Sequence, residues 1–287
     1  MRSLNDVVLE FFIGIRYLVR IVQNRVNLPK RKVISLLSAY LKLFLKHLLY
    51  IKILNRNLTI EHIFGWKIKF FSYAAFYCMF KDVFLDHHYF FIGKSKKPLL
   101  IDLGTNIGVE IFYYKWLYRK SKILAFEPDK KTFELLKQNV VINNLKNIQL
   151  YNMALSDKKS LIKFYCNNED PGALIMSTKK GRGFSSYVFV KSTTLSTYIH
   201  HRVDFLKIDI EGDEYLVVKD LNSTNKLSYV DQLTIEYHHH VNQDEDKLSK
   251  LLNLLEKNGF DYHLSSKSHP PFLKKECQDI MIFGYKV

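Results

Sequence analysis

Acidic and amide side chains follow several short apolar segments of this sequence, at the points where these segments end. Asp102, Glu127 and Asp209 each close such a segment, and Asn152 lies beside the end of another. In a parallel α/β sheet the carboxyl ends of the strands meet at one edge, and ligands bind there. Four polar side chains at one edge are hard to explain as core packing, so the sequence predicts that they form a ligand site.

Two glycines, Gly104 and Gly108, flank the turn that follows the first of these segments. Glycine lets a backbone approach a ligand closely and adopt left-handed conformations. The pattern D-x-G-x-x-x-G lacks the spacing of the dinucleotide fingerprint G-x-G-x-x-G, which argues against a nicotinamide enzyme. The carboxylate that opens it, Asp102, suits an amine or a cation and would repel phosphates.

Glu127 lies 25 positions after Asp102, where its carboxylate can accept hydrogen bonds from both hydroxyls of a ribose. A ribose without a pyrophosphate, next to an acidic turn, is what S-adenosylmethionine (SAM) presents. The combined pattern therefore predicts a SAM-dependent methyltransferase.

Methyl transfer from a sulfonium requires mainly that the acceptor is aligned with the methyl group and loses its proton. Asp209 and Glu211, two positions apart at a strand end, are candidate bases. We expect one of them to face the cofactor and the other to turn inward or to cap the next helix. His238, on a neighbouring strand end, is a further candidate base. A purely structural role for Glu211, as a helix cap, stays open.

The three consecutive histidines 238–240 raise the question of a metal site. Consecutive side chains at a strand end project to opposite sides, so a three-histidine site is not expected. A divalent cation held by Asp209, Glu236 and one histidine, and orienting the acceptor hydroxyl, remains an alternative. Because no established ligand spacing is present, no residue is assigned to a metal.

Strand-like and helix-like segments alternate from about residue 66 onwards. This alternation predicts an α/β fold with a doubly wound, mostly parallel sheet that helices cover on both faces. The clearest predicted helix spans residues 244–258, with three acids in its first turn, a leucine stripe and Gly259 after its end. The lack of periodicity in residues 167–186 predicts a long surface loop. This loop is either a lid over the site or a solvent-exposed connection between two extra strands.

The positive charge of the chain is concentrated near its N-terminus. The 287 residues carry a net charge of +15, and residues 1–60, with eleven Lys or Arg against two acids, contribute +9. Because most of the excess is remote from the candidate site, nucleic-acid binding is disfavoured. The three scattered cysteines lack metal-ligand spacing and are typical of a reducing cytosol, which predicts a cytoplasmic protein.

Residues 1–60 also contain two apolar segments interrupted by charges. In residues 33–54 the side chains of Lys42, Lys46 and Lys52 oppose a membrane span and instead predict an amphipathic helix. We expect this basic helical extension either to lie on the inner surface of a membrane or to pack on the body of the protein or on a second subunit. The predicted domains are therefore the extension, residues 1–60, and a catalytic domain, residues 61–287.

Six motifs, in this order and spacing, carry a family resemblance: Ile101-Asp-Leu-Gly-Thr-Asn-Ile-Gly108, Phe126-Glu-Pro-Asp129, Asn139 through Asn147, Asn152-Met-Ala-Leu-Ser-Asp157, Asp204-Phe-Leu-Lys-Ile-Asp-Ile-Glu-Gly-Asp-Glu214 and Ile235-Glu-Tyr-His238. The stretch from about residue 66 to residue 287 resembles the FkbM family of class I methyltransferases. Thr105, where the family usually has Ala, and Ser196, where it often has Asp, are departures that remove no group required by the chemistry.

The resemblance implies a Rossmann-like sheet of seven strands, one of them antiparallel near the C-terminus, and O-methylation of a hydroxyl. It places residues 102–108 around the methionine part of SAM, Glu127 on the ribose, and Asn152 with two following residues beside the adenine. The predicted cofactor-binding residues are Asp102, Gly104, Thr105, Asn106, Gly108, Glu127, Pro128, Asn152, Ala154, Leu155 and Asp209.

The acceptor is the least determined part of this prediction. The resemblance favours a hydroxyl of a sugar, in a glycan, a glycolipid or a small metabolite. An RNA 2′-O-methyltransferase and a non-catalytic membrane-associated adaptor that retains the fold are the alternatives. The oligomeric state stays open.

Overall fold

The computed structural model describes residues 4–23, 26–166, 171–180, 184–241, 247–266 and 277–286. The chain divides into two compact units. One comprises the chain up to Phe90 together with Gln138–Asn144, and the other comprises Phe91–Lys137 and the chain from Leu145 onwards. The first unit thus continues beyond residue 60, and the domain boundary predicted there stays a prediction.

The first unit contains a helical hairpin, a β-hairpin and a further helix. Its elements are α1 (Leu4–Gln23), α2 (Lys30–Lys46), which continues as a π-helical segment over His47–Ile53, β1 (Ile60–Ile63), β2 (Trp66–Lys69) and α3 (Tyr73–Phe80), followed by a π-helical turn over Lys81–Leu85. Stacked aromatic rings fill its centre: the ring centroids of Tyr40 and Tyr77 are 6.3 Å apart, and those of Phe70 and Phe76 are 4.4 Å apart. The predicted N-terminal helices are therefore confirmed.

The second unit alternates strands and helices, as predicted. Its elements are β3 (Leu99–Leu103), α4 (Val109–Leu117), β4 (Lys122–Phe126), α5 (Lys130–Ile142), β5 (Ile148–Tyr151), β6 (Ala154–Leu155), β7 (Ser160–Tyr165), β8 (Tyr187–Thr193), β9 (Val203–Ile208), α6 (Glu214–Ser223), β10 (Val230–His239), α7 (Leu248–Lys257), β11 (Phe260–Ser266) and β12 (Gln278–Lys286). The helix predicted over 244–258 spans Leu248–Lys257, with Lys247 as its N-cap residue. Residues 242–246, with the three acids expected in its first turn, lie outside the described residues.

Seven strands of this unit form one sheet in the order β11-β12-β10-β9-β3-β4-β5. Strands β9, β10, β3, β4 and β5 pair in parallel, whereas β12 pairs antiparallel with both β10 and β11. The predicted fold class, including one antiparallel strand near the C-terminus, is therefore confirmed. A separate sheet in the order β6-β8-β7 flanks residues 167–186.

The direction in which successive strands are added to the sheet reverses at β3. Successive strands are added on one side of β3 as β4 and β5, and on its other side as β9 and β10. Leu103 pairs with Ile208, so β3 and β9 end at the same level. Such a reversal opens a crevice at the carboxyl ends of the strands, which is where α/β proteins bind ligands.

The end of α5 belongs to the first unit and uses two asparagines as partners for β2. The side chain of Asn139 accepts a hydrogen bond from the backbone N–H of Lys69 at 2.8 Å and donates one to its carbonyl oxygen at 2.9 Å. Asn143, one turn later, makes the same pair of bonds with Lys67, both at 2.7 Å. Because alternate residues of a strand face the same side, two asparagines four positions apart, one in the last turn of α5 and one just after it, can satisfy the edge of β2.

Replacing Asn139 with Ala tests this arrangement. The change leaves the N–H and C=O of Lys69 without their side-chain partners at a position that is fully buried, so we expect a loss of about 2–4 kcal/mol in the free energy of unfolding. The matched change Asn143→Ala, at a more exposed position, should cost about 1 kcal/mol or less. Urea unfolding followed by circular dichroism measures both, and equal losses would contradict the assignment.

Candidate active site

Gly104 allows the ends of β3 and β9 to approach each other. Its φ is +76°, and a Cβ atom there would lie 1.8 Å from the carbonyl oxygen of Asp209. The backbone N–H of Asp209 donates to the carbonyl oxygen of Leu103 at 3.3 Å. From the sequence we expected this glycine to allow a ligand to approach closely. In the structure it allows the close approach of the Asp209 backbone.

Gly108 has a similar function one turn later. It adopts a φ of +92° at the start of α4, and a Cβ atom there would lie 2.7 Å from Leu136 of α5. Between the two glycines, Thr105 is fully buried, and its hydroxyl donates to the carbonyl oxygen of Asp102 at 3.1 Å. Asn106 has a positive φ of 48°, and its side-chain oxygen accepts from the N–H of Ile107 at 2.8 Å. The turn is therefore held by its own side chains.

Glu127 lies at the end of β4, directly beside this turn. One carboxylate oxygen accepts from the backbone N–H of Asn106 at 2.9 Å and the other from that of Asp129 at 2.8 Å. Burial raises the pKa of Glu127 to about 8, and these two amides oppose the rise. In the ionised form, which these two amides favour, each oxygen can accept a further hydrogen bond, so the carboxylate fits the two hydroxyls of a ribose.

Asn152 holds the backbone of Glu127 through hydrogen bonds. Its side-chain nitrogen donates to the carbonyl oxygens of Glu127 at 2.9 Å and of Pro128 at 3.0 Å, which fixes the turn after β4. Ala154 and Leu155 form the short strand β6 and are buried. Asn152, Ala154 and Leu155 thus lie directly after the end of β5, and their contact with an adenine stays a prediction.

Lys207 is the site residue that the sequence analysis missed. It lies in β9, its side chain is 0% exposed, and its Nζ atom is 2.8 Å from the carbonyl oxygen of Gly104. Three carboxylates surround the Nζ atom: Asp209 at 3.3 Å, Asp102 at 3.4 Å and Glu110 at 3.8 Å. Burial acts to lower the pKa of Lys207, but these carboxylates raise it well above its ordinary value, so the side chain is a cation.

The carboxylate of Asp102 points into the protein. The residue is 0% exposed, and burial raises its pKa against the opposing charge of Lys207. From the sequence we expected this carboxylate to bind an amine or a cation of a ligand. In the structure the cation beside it is the ammonium group of Lys207, from the same chain. Direct contact of Asp102 with the cofactor stays a prediction.

His238 is buried among carboxylates at the end of β10. Its Nδ1 atom is 2.8 Å from Glu214, and its Nε2 atom is 3.3 Å from Glu211, 3.9 Å from Asp279 and 4.0 Å from Asp209. Burial acts to lower the pKa of His238, but Glu211, Glu214 and Asp209 raise it to about 10. The imidazole is therefore protonated at neutral pH and holds these carboxylates together.

Both carboxylates of the pair Asp209 and Glu211 reach His238 because the regular strand ends at Ile208. Glu211 adopts a positive φ of 62°, which redirects its side chain. The N-cap position of α6 is Asp213, and the carboxylate of Glu211 lies 3.3 Å from His238. Glu214 accepts the hydrogen bond from the N–H of Gly212 at 2.7 Å. The Asp209 side chain remains 22% exposed, which makes it accessible at the strand ends.

One group of side chains has the spacing of a metal site. Asp209, Glu211 and His238 each present a ligand atom, and these atoms lie within 4.8 Å of one another. The group contains Glu211 in place of the Glu236 considered from the sequence. Burial and the charge of Asp209 raise the pKa of Glu236 to about 7. A divalent cation would have to displace the proton of His238, so metal binding and protonation are two ways of holding the same carboxylates.

The described part of the predicted loop, residues 171–180, packs against this site. The side chain of Asn106 donates to the carbonyl oxygen of Gly172 at 3.3 Å, and the hydroxyl of Ser177 donates to the carbonyl oxygen of Glu211. Lys179 forms an ion pair with Asp213 at 2.9 Å. The loop lies between two extra strands, β7 and β8, and still contacts both halves of the site. Residues 167–170 and 181–183, including two of its glycines, lie outside the described residues.

The site as a whole is acidic. Two buried cations, Lys207 and His238, lie among seven acidic side chains: Asp102, Glu110, Asp209, Glu211, Glu214, Glu236 and Asp279. Acids remain in excess even though the raised pKa values of Glu110 and Glu236 keep these two partly protonated. Burial raises the pKa of Glu110 to about 8, and the charge of Asp102 adds to the rise. An acidic basin favours a sulfonium or an amine and disfavours phosphate groups.

Replacing Lys207 with Met tests whether this cation holds the strand ends together. The change leaves buried carboxylates without their counter-ion, so we expect a loss of about 3–5 kcal/mol in the free energy of unfolding. Lys219→Met, at an exposed position of α6, should change it by less than about 0.5 kcal/mol. The double variant Lys207→Met/Asp102→Asn should recover part of the loss, and additive effects of the two changes would contradict the coupling.

Replacing Glu127 with Gln tests the ribose contact. An amide has only one accepting oxygen, so it cannot hold two backbone N–H groups and two hydroxyls, and we expect roughly tenfold weaker binding of SAM in calorimetry. Glu134→Gln, on the exposed face of α5, is the control and should bind as the unmodified chain does. Unchanged affinity of the Glu127 variant would remove this residue from the cofactor site.

Comparison with known proteins identifies the family of this chain. The family model described as "Methyltransferase FkbM domain" matches residues 102–262, more than half of the chain. Methyltransferase sdnD from Sordaria araneosa is 26% identical over 176 residues, which are 50% of this chain and 68% of that protein. The 2-O-methyltransferase NoeI from Sinorhizobium fredii is 28% identical over 80 residues, which are 28% of this chain and 32% of that protein.

Among solved structures, M. jannaschii TYW2 in complex with AdoMet superposes with a TM-score of 0.42 at 12% identity, covering 79% of this chain and 86% of that chain. At that similarity the assignment rests on the sequence match. The matched segment contains Gly104, Glu127, Lys207 and Asp209, the residues that build the crevice. This chain therefore belongs to the FkbM methyltransferase family and is a SAM-dependent methyltransferase.

Proposed function

We propose that this methyltransferase transfers the methyl group to a hydroxyl of a sugar, in a glycan or a glycolipid, and that Asp209 accepts the hydroxyl proton. The observation that carries the proposal is the position of Asp209. Asp209 directly follows β9, its backbone carbonyl oxygen lies against Gly104, and 22% of its side chain is exposed, whereas the Asp102 side chain is 0% exposed. Among the acids around Lys207 it is the one most accessible to an acceptor.

SAM supplies a methyl group that is already activated by its sulfonium. The chain then has to align the acceptor and accept its proton. The pKa of a sugar hydroxyl is well above 7, so the proton leaves as the new C–O bond forms rather than before. Lys207, at 3.3 Å, and His238, at 4.0 Å, hold the Asp209 carboxylate from two sides and fix its direction.

His238 has a positioning role in this proposal. The sequence made it a candidate base, but an imidazole with a pKa of about 10 is already protonated at neutral pH and cannot accept another proton. Its partner Glu211 is drawn to the same ring at 3.3 Å.

The charge of the site supports a neutral acceptor. An excess of carboxylates attracts a cationic donor and repels a phosphodiester chain, which weighs against an RNA 2′-O-methyltransferase. NoeI, which matches part of this chain, is a 2-O-methyltransferase. A hydroxyl-rich saccharide without phosphates close to the reacting hydroxyl meets both conditions.

Replacing Asp209 with Asn tests the proposal. The change keeps the shape of the side chain but removes its ability to accept a proton, so we expect turnover to fall by at least ~100-fold while SAM affinity changes less than about threefold. Calorimetry measures the affinity. Mass spectrometry of glycans and glycolipids from cells expressing each variant measures turnover, as a difference of about 14 Da per methyl group (CH₂).

Asp261→Asn, on an exposed part of β11, is the control and should methylate as the unmodified chain does. Full methylation by the Asp209 variant would contradict its role as proton acceptor. A methylated RNA, with binding that weakens steeply as salt is raised, would support the RNA alternative. Absence of SAM binding by the unmodified chain would support the adaptor alternative.

A further inference from the structure

The N-terminal helical hairpin exposes apolar side chains on its outer faces. On α2 and its π-helical continuation, five large apolar side chains lie along one stripe at spacings of seven and four residues, with exposed fractions of 45–67%: Ile34, Leu41, Leu45, Leu49 and Ile53. On α1, Leu9, Phe12 and Val22 are exposed by 61–66%. Monomeric soluble proteins seldom expose contiguous apolar surface of this extent, and such surfaces mark interaction sites.

The inner faces of the same helices are well packed, so the outer stripe is not a misplaced core. A Cβ atom on Gly14 of α1 would lie 2.3 Å from the ring of Phe44, which shows how closely the two helices approach. The hydroxyl of Tyr40 donates to the carbonyl oxygen of Gly14 at 3.3 Å. Glu10 forms an ion pair with Lys52 at 2.8 Å. The hairpin is therefore a preformed element with a buried and an exposed apolar side.

The charges of this segment complement an anionic surface. Residues 1–60 contain eleven Lys or Arg and two acids, and one of these acids, Glu10, is already paired within the hairpin. Lys30 and Arg31 are exposed at the start of α2, and Arg56 is exposed beyond its π-helical end. Cations thus flank both ends of the apolar stripe, as in helices that lie in the headgroup region of a bilayer.

The helix Lys30–Ile53, 24 residues long, is long and apolar enough to cross a membrane by length and composition alone. Two observations favour a helix lying on the surface instead. Its other face, which carries Tyr40 and Phe44, is buried within its own unit, where the ring of Tyr40 stacks on that of Tyr77. Lys42 and Lys46 bind the carboxylate of Glu61 at 2.7 and 2.9 Å, which would carry charges into the hydrocarbon.

We infer that the hairpin α1–α2 docks on the surface of an anionic lipid bilayer, with the outer apolar stripe inserted among the headgroups and Lys30, Arg31 and Arg56 on the lipid phosphates. This inference does not depend on the identity of the methyl acceptor. It predicts a peripheral membrane protein whose attachment uses apolar insertion and charge together.

Sedimentation of the full-length chain with vesicles tests the inference. We expect it to sediment with vesicles of phosphatidylcholine and phosphatidylserine, and only weakly with phosphatidylcholine alone. The triple variant Leu41→Gln/Leu45→Gln/Leu49→Gln should bind at least ~10-fold more weakly, because three apolar side chains no longer leave water. The variant Lys30→Gln/Arg31→Gln should lose roughly tenfold, and only on anionic vesicles.

The matched control changes three equally exposed apolar residues of the second unit, Leu161, Phe189 and Leu264, to Gln, and should sediment as the unmodified chain does. Thermal unfolding should show that both triple variants remain folded. Equal sedimentation of the two triple variants, or none by the unmodified chain, would overturn the inference. So would resistance to extraction by alkaline carbonate, which indicates a spanning helix. A dimer that only the Leu41/Leu45/Leu49 variant disrupts, without vesicle binding, would assign the surface to a second copy instead.

Discussion

The ion pairs of one buried ammonium group, that of Lys207, organise the centre of the catalytic unit. Its Nζ atom binds the turn after β3 through the carbonyl oxygen of Gly104 at 2.8 Å, and it lies within 3.8 Å of carboxylates from β3, α4 and the end of β9. A buried cation is stable only when opposite charges surround it, and the buried acids have the same need. The ends of β3 and β9 and the turn after β3 are therefore held together because the buried cation and the buried acids stabilise each other.

A second cation extends this arrangement toward the acceptor side. Protonated His238 gathers acids from the end of β9, the start of α6 and the start of β12, and so holds Asp209 opposite Lys207. Because the two cations are outnumbered, the crevice stays acidic and suits a sulfonium donor. The Glu127 carboxylate, held by two backbone amides, offers the ribose a preformed partner. Both the clustering of acids around the two cations and the hydrogen bonds to Glu127 compensate charged groups that are buried away from water.

The sequence predicts part of this site better than the rest. Glu127 and Asp209 could be found because each follows a strand, and parallel strands bring their ends together. The function of Gly104 could only be half predicted: the need for a small residue is visible, but its reason, the carbonyl oxygen of Asp209, comes from a strand a hundred residues away. Lys207 stands in an apolar strand, and nothing local reveals that two of its three carboxylate partners, Asp102 and Glu110, come from about a hundred residues earlier in the chain. For the same reason the sequence made His238 a candidate base: the carboxylates that stabilise its protonated form are remote in sequence.

A structure of the chain with S-adenosylhomocysteine tests the central claim most directly, because it locates the donor among these residues. The account predicts both ribose hydroxyls within about 3 Å of the Glu127 carboxylate, and the sulfur facing the Asp209 side of the crevice with Lys207 still buried behind it. A ribose bound away from Glu127, or a sulfur separated from Asp209 by the body of the protein, would contradict it.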